Sequence, residues 1–139
     1  MILGIGTDIV EVVRFQSWAH GPESRLLKIF SLSELAQCKA PDGQYLLEKL
    51  AARFAAKEAF YKALSATLTR LNLTAYTFSF MFACQHMSVM TTTWGVPMLE
   101  IDWAAFETKI KTVLPKLHVH VSLSHEKSLA IAFIIISKK

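Results

Sequence analysis

From Gln44 to Thr67 the sequence contains neither glycine nor proline, and Leu47, Leu50, Ala51, Phe54 and Tyr61 recur along it at helical spacing. Such a stripe predicts one long amphipathic helix, and the rest of the chain has to cover its apolar side. The covering material reads mainly as strands. Ile2 to Val10 is an apolar run that ends at Glu11, and Tyr76, Phe78, Phe80 and Phe82 alternate with Thr77, Ser79 and Met81. Met87 to Thr93 and Val96 to Ile101 flank Trp94-Gly95 as two further strands. Leu117, Val119, Val121 and Leu123 alternate with His118, His120, Ser122 and Ser124, and Leu129 to Ile136 is the continuous run of a buried strand.

Shorter helical stretches fill the gaps. Glu11 to His20 turns Val12, Val13 and Phe15 inward and Arg14 outward, and Glu23 to Phe30 resumes after Gly21-Pro22. Ser33 is placed to cap a short helix through Cys38, Pro41-Asp42-Gly43 reads as a turn, and Asp102 caps a helix to about Val113 before Pro115. No repeat or linker interrupts 139 residues. The expectation is one α+β domain over residues 1–139, a mainly antiparallel sheet packed on one long helix.

At 53% hydrophobic and 19% charged, the chain excludes intrinsic disorder and carries more apolar surface than a small monomer needs. The longest apolar stretches, Leu73 to Cys84 and Leu129 to Ile136, are too short or too polar to span a bilayer. The first residues enter a strand with no basic region before an apolar one, so a cytoplasmic location is expected. Cys38 and Cys84 form no metal-ligand spacing and read as reduced thiols, and Asn72-Leu73-Thr74 is a chance match to a glycosylation acceptor. A net charge of +4 without a basic, aromatic-interleaved run does not point to nucleic acid. An acidic protein or a phosphate-rich small molecule suits it better.

Two carboxylates stand where apolar residues belong. Asp8 interrupts the strand Ile5 to Val10, and Glu58 falls on the helix stripe between Phe54 and Tyr61. Each has to be paired, protonated or bound to a cation, because burying it bare costs several kcal/mol. One reading is an internal salt bridge or a partly exposed edge position. The other is a Mg²⁺ site, since Mg²⁺ commonly takes one or two carboxylates and completes its octahedron with substrate phosphates and water. Arg53, Lys57 and Lys62 flank Glu58 on the same helix and favour phosphate. Other patterns fail: Gly4-x-Gly6 has Ile9 where a dinucleotide fingerprint needs a third glycine, and no phosphate-binding P-loop occurs. His118 and His120 could be metal ligands on one strand face, but the polar side of a half-exposed strand looks the same and is the simpler reading. Ser124 and His125 are adjacent in a strand and point apart, so Ser122, Ser124 and His125 make no hydrolase triad.

Three segments resemble one family. Ile5-Gly6-Thr7-Asp8-Ile9-Val10-Glu11, the run Arg53-Phe54-Ala55-Ala56-Lys57-Glu58-Ala59-Phe60-Tyr61-Lys62-Ala63-Leu64, and Val121-Ser122-Leu123-Ser124-His125 are similar in order and spacing to bacterial holo-acyl-carrier-protein synthases. These are the short 4′-phosphopantetheinyl transferases. The resemblance implies the 4′-phosphopantetheinyl transferase-like fold and transfer of phosphopantetheine from coenzyme A to a serine of apo-acyl-carrier protein. The other product is adenosine 3′,5′-bisphosphate, and the reaction serves fatty acid biosynthesis. It implies that Asp8 and Glu58 bind Mg²⁺, that Glu58, Lys62 and Asp8 serve catalysis, and that Arg53, Lys57, Gly95, Pro97, Ser124 and His125 meet coenzyme A. Arg14, with Arg25 and Lys28, would meet the acidic carrier, and trimers with active sites between subunits would absorb the apolar surplus. The chain departs from the family at Val96, where a basic residue is common, and at Ser65-Ala66-Thr67-Leu68, which lacks the usual glycines. A non-catalytic coenzyme A or nucleotide-binding module is the alternative those departures allow.

Overall fold

The computed structural model describes residues 1–73 and 77–139. Strand β1, Ile2–Glu11, leads through a 3-10 turn at Val12–Phe15 into three short helices, α1 (Gln16–Ala19), α2 (Glu23–Leu26) and α3 (Leu32–Cys38). Helix α4 spans Leu47–Arg70, followed by α5 (Phe80–Gln85), strands β2 (Met87–Thr91) and β3 (Pro97–Ile101), helix α6 (Trp103–Ile110), and strands β4 (Leu117–His125) and β5 (Leu129–Lys138). A three-stranded antiparallel sheet has the order β1-β5-β4, and β2 and β3 form a separate hairpin.

Alternation decides which side of the sheet meets α4. Ala130, Ala132, Ile134 and Ile136 of β5 are buried, while Leu129, Ile131 and Phe133 are exposed on the opposite face. The buried set packs in one core with Leu50, Ala51, Ala55, Ala59 and Ala63 of α4. Small residues there let the backbones approach. A Cβ on Gly4 would run into the Ala63 carbonyl and the Thr67 hydroxyl, and one on Gly6 into the Ala59 carbonyl. The Gly4-x-Gly6 pair is therefore a packing device that seats α4 against β1.

Several elements differ from the sequence reading. The aromatic alternation does not become a strand: Tyr76 lies outside the described residues, and Phe80–Gln85 is helical. The Ser79 hydroxyl accepts from the Phe82 amide and caps the turn, so Phe78, Phe82 and Phe106 cluster edge to face instead of lining a sheet. The cap of α3 is Ser31, not Ser33, because the Ser31 hydroxyl and the Glu34 carboxylate form a reciprocal capping box. Only Glu23–Leu26 of the stretch to Phe30 is helical, and Glu11 still belongs to β1. The hairpin strands end at Thr91 and begin at Pro97, and α6 ends at Ile110, where Lys111 takes a left-handed conformation.

Candidate active site

Because Gly6 lets β1 touch α4, Asp8 reaches across to the helix. Its Oδ1 lies 2.9 Å from Lys62 Nζ, which also donates to the Thr7 carbonyl at 3.0 Å. Glu58 stands one turn before Lys62 and is half-buried. Burial raises the Glu58 pKa above the ordinary glutamate value, and the nearby Asp8 charge adds to this, while Lys62 and Arg14 oppose it. The two out-of-place carboxylates thus come together, with the salt bridge of the simpler reading formed by Asp8 and Lys62.

Two carboxylates that press on one another are relieved by a cation between them, and this bears on the metal. Among the described residues no three His, Cys, Asp or Glu side chains gather at one point. A hard cation here would have to take its protein donors from Asp8 and Glu58 and the rest from substrate and water, a donor set that would suit Mg²⁺. Among the described residues His118 and His120 find no third ligand, and His118 Nε2 is buried with no hydrogen-bond partner among them.

A separate cleft of about 440 Å³ opens between α4 and the hairpin. Helix α3 lines it with Gln37, α4 with Lys49, Ala52 and Arg53, the hairpin with Thr91, Thr92, Gly95 and Pro97, and β4 with Leu123 and His125. Arg53 is almost fully buried at its floor, with Nε donating to the Val89 carbonyl at 3.0 Å and Nη2 to Gln37 Oε1 at 2.9 Å. Ser124 is exposed and does not line the cleft, since it points opposite to His125. Asp8 lies on β1 and His125 on β4, with β5 between them.

Lys57 is not available to a ligand. It has no exposed surface; its Nζ lies 3.1 Å from Glu34 Oε2 and donates to the carbonyls of Met87 at 2.8 Å and Cys84 at 3.1 Å. The helix row that carries Arg53 simply continues inward beneath β2. Arg14 and Arg25 share an aromatic base: Arg14 lies 4.8 Å over Phe54, Arg25 4.8 Å over Trp18, and those rings meet edge to face at 6.0 Å. Lys28 is exposed but borders a different hollow, with Phe30 and Cys84. Burial pushes the Cys38 and Cys84 thiols up to about 11 and about 12, which leaves them protonated and unreactive.

Sequence reasoning missed Glu34 and Gln37, both on α3. The spacing Ser31-x-x-Glu34 was the available signal, hidden by placing the cap two residues later. At the two departures, Val96 is exposed on the hairpin, and Ser65 donates to the Tyr61 carbonyl while bordering a hollow of about 140 Å³.

The 4′-phosphopantetheinyl transferase superfamily model matches residues 4–134. The holo-[acyl-carrier-protein] synthase of Treponema pallidum is 38% identical over 137 residues, covering 98% of this chain and 96% of that one. The synthase of Treponema denticola is 36% identical over 138 residues, covering 98% of each. Among solved structures, the holo-(acyl-carrier-protein) synthase of Bacillus anthracis in complex with CoA (3′,5′-ADP) is 26% identical. It superposes with a TM-score of 0.66 over 98% of this chain and 96% of that one. Matched over residues 4–134 by the family model and over nearly its full length by these relatives, the chain belongs to the 4′-phosphopantetheinyl transferase superfamily, within its holo-acyl-carrier-protein synthases.

Proposed function

We propose that this chain, as one domain over residues 1–139 and in the cytoplasm, transfers 4′-phosphopantetheine from coenzyme A to a serine of apo-acyl-carrier protein. The holo-carrier it makes would serve fatty acid biosynthesis. The observation that carries the reading is the meeting of Asp8, Glu58 and Lys62, in a chain whose full-length relatives are holo-acyl-carrier-protein synthases. The relative from Bacillus anthracis was solved with CoA (3′,5′-ADP), which supports coenzyme A as donor.

The reaction breaks a P–O bond of the coenzyme A pyrophosphate and forms one to the serine hydroxyl. It needs a nucleophile held in line and charge stabilised on oxygen. Asp8 and Glu58 would hold Mg²⁺, which supplies charge neutralisation at the pyrophosphate oxygens. Glu58, half-buried one turn before Lys62, is placed to help deprotonate the attacking serine. Lys62 stands beside Asp8 with half its side chain exposed, so it can turn toward the departing phosphate and neutralise or protonate it. Arg53 and His125, with Gly95 and Pro97, would seat the nucleotide phosphates in the cleft. Arg14 and Arg25, exposed on their aromatic base, suit an acidic carrier surface.

The same reading gives the surplus apolar surface a use. Ile5, Ile9, Ile131 and Phe133 are 51%, 60%, 43% and 43% exposed and adjoin one another across β1 and β5. A sheet face this apolar and this bare favours further copies of the chain, and a trimer with sites between subunits would cover it. The test is incubation with coenzyme A, Mg²⁺ and apo-carrier protein, read by mass spectrometry. The carrier should gain one phosphopantetheinyl group, with chelator abolishing the gain; no gain on any of several apo-carriers would refute the assignment.

A further inference from the structure

Strand β2 has β3 on one side only. In the pairs Met87↔Ile101, Val89↔Leu99 and Thr91↔Pro97, the β2 backbone groups point away from the partner strand, toward α3 and α4. An edge left this way exposes or orphans its amides and carbonyls. Side chains fill it instead. The Val89 amide donates to Glu34 Oε1 at 2.7 Å, the Thr91 amide to Gln37 Oε1 at 2.8 Å, and Gln37 Nε2 donates to the Thr91 carbonyl at 3.0 Å. Arg53 Nε and Lys57 Nζ take the carbonyls of Val89 and Met87.

Gln37 differs from the others because it also holds Arg53. Its single Oε1 accepts from the Thr91 amide and from Arg53 Nη2 at 2.9 Å, while Nη2 reaches the Thr91 hydroxyl at 3.2 Å. The carboxamide cannot be reversed, since its NH₂ would then face two donors. One side chain thereby fixes the guanidinium that floors the cleft and the strand end that forms its wall.

We propose that Gln37 is a positioning residue for anion recognition, aiming Arg53 and locking the hairpin wall around the phosphates of a 3′-phosphorylated adenine nucleotide. This rests on the reading of the cleft given above. Gln37→Met keeps the volume and removes every hydrogen bond. It should weaken binding of adenosine 3′,5′-bisphosphate, and raise KM for coenzyme A, about tenfold with kcat changed less than twofold, as expected for loss of one charged hydrogen-bond arrangement. Gln37→Glu retains acceptors for Arg53 and the Thr91 amide, but it sets its second oxygen against the Thr91 carbonyl and neutralises the guanidinium, so it should weaken binding at least as much. In an Arg53→Met background, Gln37→Met should cost less than it does in the parent, because the part of its effect that runs through the guanidinium is already lost.

Calorimetric titration with adenosine 3′,5′-bisphosphate on protein of native melting behaviour separates the outcomes. If Arg53→Met loses binding but both Gln37 variants stay within twofold of the parent, the positioning role is overturned. Losses that add fully in the double variant, or a kcat that falls in step with the rise in KM, overturn it as well. If Arg53→Met itself binds normally, the cleft assignment fails and the proposal falls with it.

Discussion

The Glu34–Lys57 pair offers a sharp test of how the cleft is held. Both side chains are fully buried, and each is satisfied: Glu34 accepts from the amides of Ser31 and Val89, both at 2.7 Å, and Lys57 donates to two carbonyls. Glu34→Gln preserves shape but strands an ammonium in the interior with two neutral acceptors. Breaking one side of such a pair costs about 3–5 kcal/mol, a large part of a stability of about 5–15 kcal/mol. For a domain of this size that is a drop in Tm of about 10–20 °C. Lys57→Met leaves a carboxylate that keeps two charge-assisted hydrogen bonds, and two unpaired carbonyls, so it should cost somewhat less. The double variant removes both charges and should be more stable than Glu34→Gln alone, a positive coupling of about 2 kcal/mol. Urea denaturation followed by circular dichroism measures all three. A Glu34→Gln protein within about 1 kcal/mol of the parent, or a double variant worse than either single one, would refute the claim that charge burial governs this seam.

Four further outcomes follow from the structure. Gly6→Ala places a methyl group against the Ala59 carbonyl, so α4 has to shift from β1; the expected result is a loss of at least about 2 kcal/mol in denaturation and a kcat reduced about a hundredfold as Asp8 moves from Glu58. In metal-free protein, carboxyl NMR should find Glu58 titrating above the ordinary glutamate value, and Asp8→Asn should lower its pKa while Lys62→Met raises it. The native state then holds the Glu58 proton more tightly than the unfolded chain, so Glu58→Gln should gain stability over the parent as pH rises from the ordinary glutamate value through the native one. Arg14→Glu should raise KM for an acidic carrier at low salt and lose its effect at high salt, with coenzyme A binding unchanged, as steady-state kinetics across ionic strength will show.

What could be read from the sequence was what violates a period. Asp8 in an apolar strand and Glu58 on an apolar stripe stood out because each contradicts its neighbours, and both meet at the site. The long helix was readable for the converse reason, since nothing in Gln44 to Thr67 breaks it. Tyr76 to Phe82 misled because alternation of aromatics is the strand signal, while the deciding contact, a Ser79 hydroxyl on the Phe82 amide, is local and silent in the pattern. Lys57 misled differently. Its spacing from Arg53 is that of a solvated helix face, and its counter-charge lies on α3, a distant segment that no helical periodicity connects to it.

That row of cations also explains how one helix serves two ends. Lys49, Arg53 and Lys57 follow at i, i+4 and i+8 on α4, and all three bond to α3 or β2. Their burial grows along the row: Lys49 is exposed, Arg53 is 4% exposed and Lys57 not at all. At the inner end a charge can only be structural, because no ligand reaches it and its donors are spent. At the outer end a lysine is free to move and its salt bridges would be worth little. Arg53 stands at the boundary, where a guanidinium has enough donors to be pinned by Gln37, Thr91 and Val89 and still present charge to the cleft. A lysine there has three donors on a flexible stem and would lose the fork that Gln37 fixes. Arg53→Lys should therefore keep the net charge yet lose coenzyme A affinity, which separates the geometry of this position from its charge.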